Sequence, residues 1–161
     1  MYKNEFDNYL KQNKKFKAYM FYGQSIFLVE QYALVIAQSL GNDDEIEKLY
    51  FEEYDFKYTK DKLLQSSLFS SNNIILIKLD KKIPKKEVDS LIEACNLNPD
   101  STLIFACLGD SDFKTMEASF SLKTNSAAVR FFLPTDTEAI KFLEYEAKMQ
   151  NMKVEASALN H

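Results

Sequence analysis

The side chains that could perform chemistry are few in this chain of 161 residues. Its only histidine is His161, so the Ser-His-Asp and Cys-His arrangements of nucleophilic catalysis lack a positioned imidazole. Cys95 and Cys107 are too few for a disulfide framework and are not spaced as metal ligands. We therefore expect no catalytic residue and no metal site, and a reduced intracellular compartment.

A degenerate phosphate-binding motif follows the first apolar run of the sequence. Gly23 stands where a P-loop would begin, but such a loop also requires a second glycine, a lysine and a hydroxyl residue. Leu28, Val29 and Glu30 occupy those positions, and Glu30 would repel a phosphate. Asp80 ends an apolar run as a Walker-B carboxylate would, and we interpret it as a solvent-facing residue. We predict no bound cofactor.

An apolar pair, Leu68 and Phe69, lies between a predicted short helix and the strand that begins at Asn73. Neighbouring residues on a helix do not share a face, so the pair can project together only where the helix ends. The turn-forming residues 70–73 allow this, and Gln65 can add an amide hydrogen bond. Periodicity alone favours the simpler interpretation, in which Leu68 packs as core and Phe69 is buried before the next strand.

Short apolar strands alternate with amphipathic helices along the chain. This alternation predicts βαβ units and hence a three-layer α/β fold, with a mainly parallel sheet and helices on both faces. The predicted strands are 18–22, 49–54, 73–79, 102–108 and 127–132. The predicted helices are 1–17, 25–40, 60–66 with Thr59 as its cap, 85–95, and one that begins at Thr135 or Thr137.

The C-terminal part of the sequence predicts a second domain. Residues 152–156 resemble the opening of a further helix, which would have nothing to pack against if the protein ended there. We therefore expect an N-terminal domain over residues 1–133, and the truncated beginning of a small helical domain over residues 134–161.

The charge balance argues against a primary nucleic-acid-binding module. The chain has 20 basic and 24 acidic residues, and nucleic-acid affinity depends mainly on cationic side chains. Lysine clusters at residues 11–17 and 81–86 are interpreted as solvated surface, so DNA would be contacted only indirectly. Because the longest apolar runs are too short to span a bilayer, we expect a soluble, cytoplasmic protein with no membrane contact.

Four blocks of the sequence, in this order and spacing, are similar to the delta subunit of bacterial DNA polymerase III. They are YMFYGQSIFLVEQY, LLQSSLFSSNNIILIKL, STLIFACLGDSDFK and FFLPTDTEAIKFLEYEAKMQNMKVEASAL. The resemblance implies an AAA+/RecA-like N-terminal domain with the P-loop fold but no functional nucleotide site, followed by a helical second domain. It also implies a C-terminal domain, not included in this sequence, that joins the gamma/tau and delta prime subunits of a clamp loader.

The resemblance also implies a site. The pentapeptide QSSLF is similar to the sliding-clamp-binding pentapeptide of bacterial replication proteins, roughly Gln-x-Ser/Asp-Leu-Phe, although Ser66 replaces the common apolar second residue. Leu68 and Phe69 would then form a hydrophobic wedge on the clamp (the beta subunit), with Gln65 as helper. The implied function is that of a non-catalytic subunit of the polymerase holoenzyme, which helps to open the clamp. A generic protein-interaction scaffold and a degenerate P-loop NTP-binding protein remain as alternatives.

Overall fold

The computed structural model of the protein describes residues 1–65, 72–109, 111–133 and 136–159. The chain divides into two compact units, Met1–Phe131 and Phe132–His161. Within the second unit, the described backbone forms one helix, α6 (Asp136–Leu159). None of the described helices is both long enough and apolar enough to cross a bilayer.

The first unit is built on five parallel strands in the order β2-β3-β4-β1-β5. The strands are β1 (Ala18–Gly23), β2 (Ile46–Tyr50), β3 (Asn73–Leu79), β4 (Ser101–Cys107) and β5 (Ser126–Phe131). β3 and β4 read as continuous apolar runs because both of their faces are covered, as is usual for inner strands of a parallel sheet. β1 pairs with β4 on one side and with β5 on the other, so it is an inner strand, and the chain runs from β1 to the edge strand β2 before it returns through β3 and β4.

The described residues of the first unit form five α-helices. They are α1 (Lys3–Lys11), α2 (Ile26–Leu40), α3 (Phe56–Leu64), α4 (Lys85–Leu97) and the short α5 (Lys114–Glu117). α2 packs on β1, β3 and β4, while α1 lies against β5. α3 and α4 pack on each other and on β4. The predicted three-layer α/β fold with helices on both faces is therefore confirmed.

The two faces of the sheet have different cores. Towards α1 and α2 the core is aromatic: the fully buried Phe6 ring makes edge contacts with Tyr19 and Phe21, with ring centroids 6.2 and 5.4 Å apart. The opposite face is mainly aliphatic and includes Met20, Ile75, Ile77, Leu79, Val88, Leu91 and Leu103. Alternate residues of β1 thus supply both cores, as the twofold periodicity of a strand requires.

The structure corrects several predicted boundaries at the start of the chain. α1 ends at Lys11 instead of residue 17, because Asn13 adopts a left-handed conformation (φ 57°) that terminates the helix. The second strand is Ile46–Tyr50 instead of 49–54. It is an edge strand in which only Leu49 is buried, and the aromatic residues after Tyr50 enter a short 3-10 turn, so no apolar run marks it.

Two helix predictions are also corrected. The N-cap of α3 is Asp55, whose Oδ1 accepts a hydrogen bond from the Tyr58 amide at 2.7 Å. Thr59 is buried inside the helix, and its hydroxyl donates to the Asp55 carbonyl at 2.8 Å. α6 runs without a break from residue 136 to 159, so no new helix begins at residue 152; the sequence has no glycine or proline there to end it.

Among the residues that the structure describes, four tyrosine hydroxyls donate to carboxylates on other elements of the first unit. The pairs are Tyr22–Glu117, Tyr32–Asp7, Tyr54–Glu87 and Tyr58–Glu47, with O···O distances from 2.5 to 2.9 Å. Burial, and then the adjacent carboxylate, raises the pKa of Tyr22, Tyr32 and Tyr54, because both disfavour the phenolate. These tyrosines are therefore neutral donors that join neighbouring elements.

Tyr32→Phe tests the α1–α2 link. The pKa of Tyr32 in the folded protein lies above its ordinary value of 10.0. The contribution of Tyr32 to folding stability is therefore fully present below pH 10. It is lost as the pH rises further, because the phenol ionises in the unfolded chain before it does in the folded protein. Loss of the hydrogen bond should cost about 1 kcal/mol at pH 8. The alkaline decline in stability, at most about 1.4 kcal/mol per pH unit for one tyrosine, should become shallower.

Urea unfolding between pH 8 and pH 11 measures both effects. Tyr145→Phe, at a side chain that is 61% exposed, is the matched control and should leave stability at pH 8 unchanged. An alkaline decline in the Tyr32 variant as steep as that of the wild type would contradict the assignment.

Candidate partner-binding site

α3 leads from the core to the segment that is predicted to bind a partner. Leu63 is fully buried, Leu64 is 42% exposed, and Gln65 is the exposed C-terminal cap of the helix. Because adjacent helical residues point in different directions, Leu63 anchors α3 while Leu64 faces solvent. Leu68 and Phe69 lie outside the described residues, so their exposure stays a prediction.

Leu64 was missed by the sequence reasoning. Its side chain places an apolar group on the surface directly before Gln65. The signal was the repeat Leu63-Leu64, because only one of two adjacent helical side chains can enter the same core.

The other flank of the segment is fixed by hydrogen bonds. The Asn73 side chain donates from Nδ2 to the Lys62 carbonyl at 2.6 Å, which ties the start of β3 to the end of α3. The Asn72 amide donates to Glu45 Oε2 at 2.9 Å. The six residues 66–71 are thus bracketed by backbone that the first unit holds on both sides.

Gly23, the residue expected in a phosphate loop, serves the sheet instead. It is the last residue of β1, has φ +132°, and pairs with Phe131 on β5. A Cβ atom at Gly23 would lie 2.1 Å from the Phe131 carbonyl oxygen. The glycine is therefore required by its left-handed backbone and by the close approach of the two strands.

Backbone donors at the start of α2 are already used within the chain. The Gln24 amide donates to the Phe131 carbonyl at 2.9 Å. The Leu28 amide donates to Ser25 Oγ at 3.2 Å, and the Val29 amide donates to the Ser25 carbonyl at 3.1 Å. A working P-loop offers such donors to phosphate oxygens, whereas these three have internal acceptors.

The charges near this position do not favour a nucleotide either. Glu30 lies on α2, and its Oε1 is 3.6 Å from Lys78 Nζ on β3, so a carboxylate stands where a phosphate-binding lysine would be needed. Asp80 is exposed after β3, as predicted. Within the described ranges, no three His, Cys, Asp or Glu side chains are grouped so as to hold a metal ion.

Neither cysteine is placed for nucleophilic chemistry. Cys95 and Cys107 are both buried and not joined in a disulfide. Burial raises the pKa of the Cys95 thiol to about 12 and also raises the pKa of Cys107. Because the thiolate is the reactive form, both residues are inert core side chains.

The fold and this site together define a parallel α/β module whose β1–α2 junction is occupied by contacts within the chain. The strand-to-helix junction is present, but its glycine, its amides and its charges have other roles. Residues 19–132 match the protein family described as DNA polymerase III, delta subunit. The chain belongs to this family, as its sequence blocks predicted.

The chain is also similar to individual proteins. Two proteins of Helicobacter pylori, from strains J99 and 26695, are 28% and 26% identical to the chain; each alignment covers 99% of the chain and 52% of the relative. The structure resembles the DNA clamp loader delta protein (YqeN) of Bacillus subtilis with a TM-score of 0.62 and 16% identity, over 91% of this chain and 47% of that one. At this identity the likeness shows the fold. The chain spans about half the length of these relatives.

Gly23→Ala tests the structural role of the glycine. The added methyl group meets the Phe131 backbone, which cannot move without breaking the β1–β5 pairing, and the positive φ adds strain. We expect a loss of more than about 3 kcal/mol in the free energy of unfolding.

Gly41→Ala is the matched control for this substitution. Gly41 has an extended backbone (φ −171°), and the nearest atom to its added Cβ would be the end of a side chain, Ile74 Cδ1 at 2.8 Å, and not backbone, so the cost should be about 1 kcal/mol. Urea unfolding compares the two variants, and similar losses in both would contradict the role given to Gly23.

Proposed function

We propose that this chain is the clamp-opening part of a replicative clamp loader. It binds the sliding clamp, the beta subunit of the polymerase, through Leu68 and Phe69, and Gln65 assists. The observation that carries the proposal is the pentapeptide QSSLF, which in a member of the delta family begins at the exposed cap of α3. The buried Leu63 supports it, because it gives the preceding helix a rigid base.

The mechanism rests on differential affinity. Burial of each apolar side chain in a pocket on the clamp contributes about 1.5–3 kcal/mol. Such a wedge opens the ring only to the extent that it binds the open form better than the closed form. ATP hydrolysed by sister subunits then drives release.

The module itself is proposed to be non-catalytic. The internal bonds of the amides at the start of α2, and the carboxylate of Glu30, support this. Contacts with the gamma/tau and delta prime subunits are assigned to a C-terminal domain, because the matched relatives are about twice as long as this chain. DNA is contacted only indirectly.

We further propose that residues 134–161 begin a helical second domain. Exposed apolar side chains lie on two opposite sides of α6, since successive helical residues turn by about 100°. One side carries Ile140 and Leu143, and the other carries Tyr145, Met149 and Met152. A helix that is apolar on two sides needs packing partners on both, and the remainder of the protein would supply them.

Expression of residues 1–133 alone tests this domain boundary. We expect a cooperative unfolding transition with a midpoint close to that of the longer chain, because both described cores lie within Met1–Phe131. Circular dichroism during urea unfolding measures it. A fragment without a cooperative transition would show that the boundary is wrong.

Leu68→Ala combined with Phe69→Ala tests the clamp site. In the full-length subunit, we expect affinity for the cognate sliding clamp to fall by about a hundredfold or more, because two anchors are removed. Calorimetry or surface plasmon resonance measures the affinity, and circular dichroism should show an unchanged fold. Leu122→Ala, at another exposed leucine (58%), is the matched control and should bind the clamp normally.

Other outcomes would identify the alternatives. An unfolded double variant would show that the pair is core, and wild-type binding by the variant would place the clamp site elsewhere. A generic scaffold predicts no capture of the clamp. A degenerate NTP-binding protein predicts micromolar ATP binding in equilibrium dialysis with Mg²⁺, weakened by substitutions near Gly23.

A further inference from the structure

The turn between α4 and β4 is hydrogen-bonded to both flanks of the segment 66–71. The side chain of Asn98 donates from Nδ2 to the Leu63 carbonyl at 3.0 Å and to the Gln65 carbonyl at 3.2 Å. Two residues later, the Asp100 carbonyl accepts the Asn73 amide at 2.8 Å. One short turn, 33 residues from Gln65 in sequence, therefore holds the chain where it enters and where it leaves this segment.

The orientation of the Asn98 amide is fixed by its surroundings. Asn98 is 7% exposed, and its Oδ1 accepts a hydrogen bond from the Asp100 amide at 3.1 Å. Asn98 Oδ1 therefore accepts a hydrogen bond within the turn, and both hydrogens of its Nδ2 point to the end of α3. The last carbonyls of a helix have no partner within the helix, and Asn98 supplies donors to two of them, those of Leu63 and Gln65.

Other parts of the first unit hold this α4–β4 turn in place. Lys17 Nζ, just before β1, donates to the Asn98 carbonyl at 3.0 Å and to the Pro99 carbonyl at 2.9 Å. The fully buried Ser101 donates from Oγ to the Leu63 carbonyl at 2.6 Å. Movement of the turn would therefore break several partly or fully buried hydrogen bonds at once.

We propose that Asn98 is a positioning residue for clamp binding. Its amide holds the backbone where it leaves α3 at Gln65, and its turn holds Asn73 at the other flank of the segment that contains Leu68 and Phe69 in the sequence. A binding segment whose two ends are held loses less conformational entropy on binding than one with loose ends. This inference rests on the proposed clamp-binding function, and Asn98 itself does not touch the clamp.

Asn98→Asp in the intact subunit tests the inference. The substitution keeps the shape of the side chain but places an oxygen opposite the Leu63 and Gln65 carbonyls, so both hydrogen bonds are lost. We expect clamp affinity to weaken by about tenfold. Amide hydrogen exchange at Gln65 and Asn73 should become faster, which reports loosening at the flanks of the segment.

Asn96→Asp is the matched control. The Asn96 side chain also donates from Nδ2 to two carbonyls, those of Ile92 at 3.1 Å and Thr124 at 2.7 Å, but it contacts neither flank of the segment. Because Asn96 is exposed whereas Asn98 is buried, it should lower thermal stability by less than Asn98→Asp does, and it should leave clamp affinity unchanged. Comparison of affinity with stability in the two variants separates positioning from general destabilisation.

The outcomes are distinguishable. Wild-type clamp affinity in the Asn98 variant, or an equal loss in the Asn96 control, overturns the inference while the clamp site stands. Undiminished binding by the Leu68→Ala, Phe69→Ala protein overturns the clamp site and this inference together. If the aspartate variant does not fold, Asn98→Ala removes the donor without adding an acceptor and is judged by the same comparison.

Discussion

The close approach of the β1 and β5 backbones at Gly23 and Phe131 is the constraint on which the first unit depends. β1 lies between β4 and β5 and pairs with both, so it links β5 to the rest of the sheet. A fold of this type usually binds a ligand beyond the carboxyl end of such a strand. Here the same glycine and the following amide are used for β5, so the sheet is completed at the expense of the ligand cradle.

The proposed function requires a surface that the body of the protein holds firmly. α3 shows how the body of the protein can support such a surface: Leu63 is sealed in the core while the next two residues face solvent. The carbonyls at the end of α3 are satisfied by side chains from β3, β4 and the turn before β4. Contact with a partner at this end would therefore be transmitted to the sheet through hydrogen bonds rather than through a flexible hinge.

The elements predicted most accurately from the sequence were those that are buried on both faces. β3 and β4 were predicted to within a residue because strands covered on both faces must be apolar throughout. The predicted position of β2 was wrong because an edge strand with one buried residue leaves little periodicity in the sequence. The family and the missing phosphate motif could be inferred from short blocks of residues. The role of Asn98 could not, because it arises from hydrogen bonds to residues about 35 positions away that no local pattern records.

The tyrosine–carboxylate pairs determine how the first unit responds to dissolved salt. Each pair contains one charge, so its strength does not depend on attraction between opposite ions, which dissolved salt weakens over distances of about 8–10 Å. The lysine–carboxylate pairs, in contrast, are partly exposed and subject to that screening. The tyrosine–carboxylate attachments between neighbouring elements should therefore be less sensitive to dissolved salt than the lysine–carboxylate pairs.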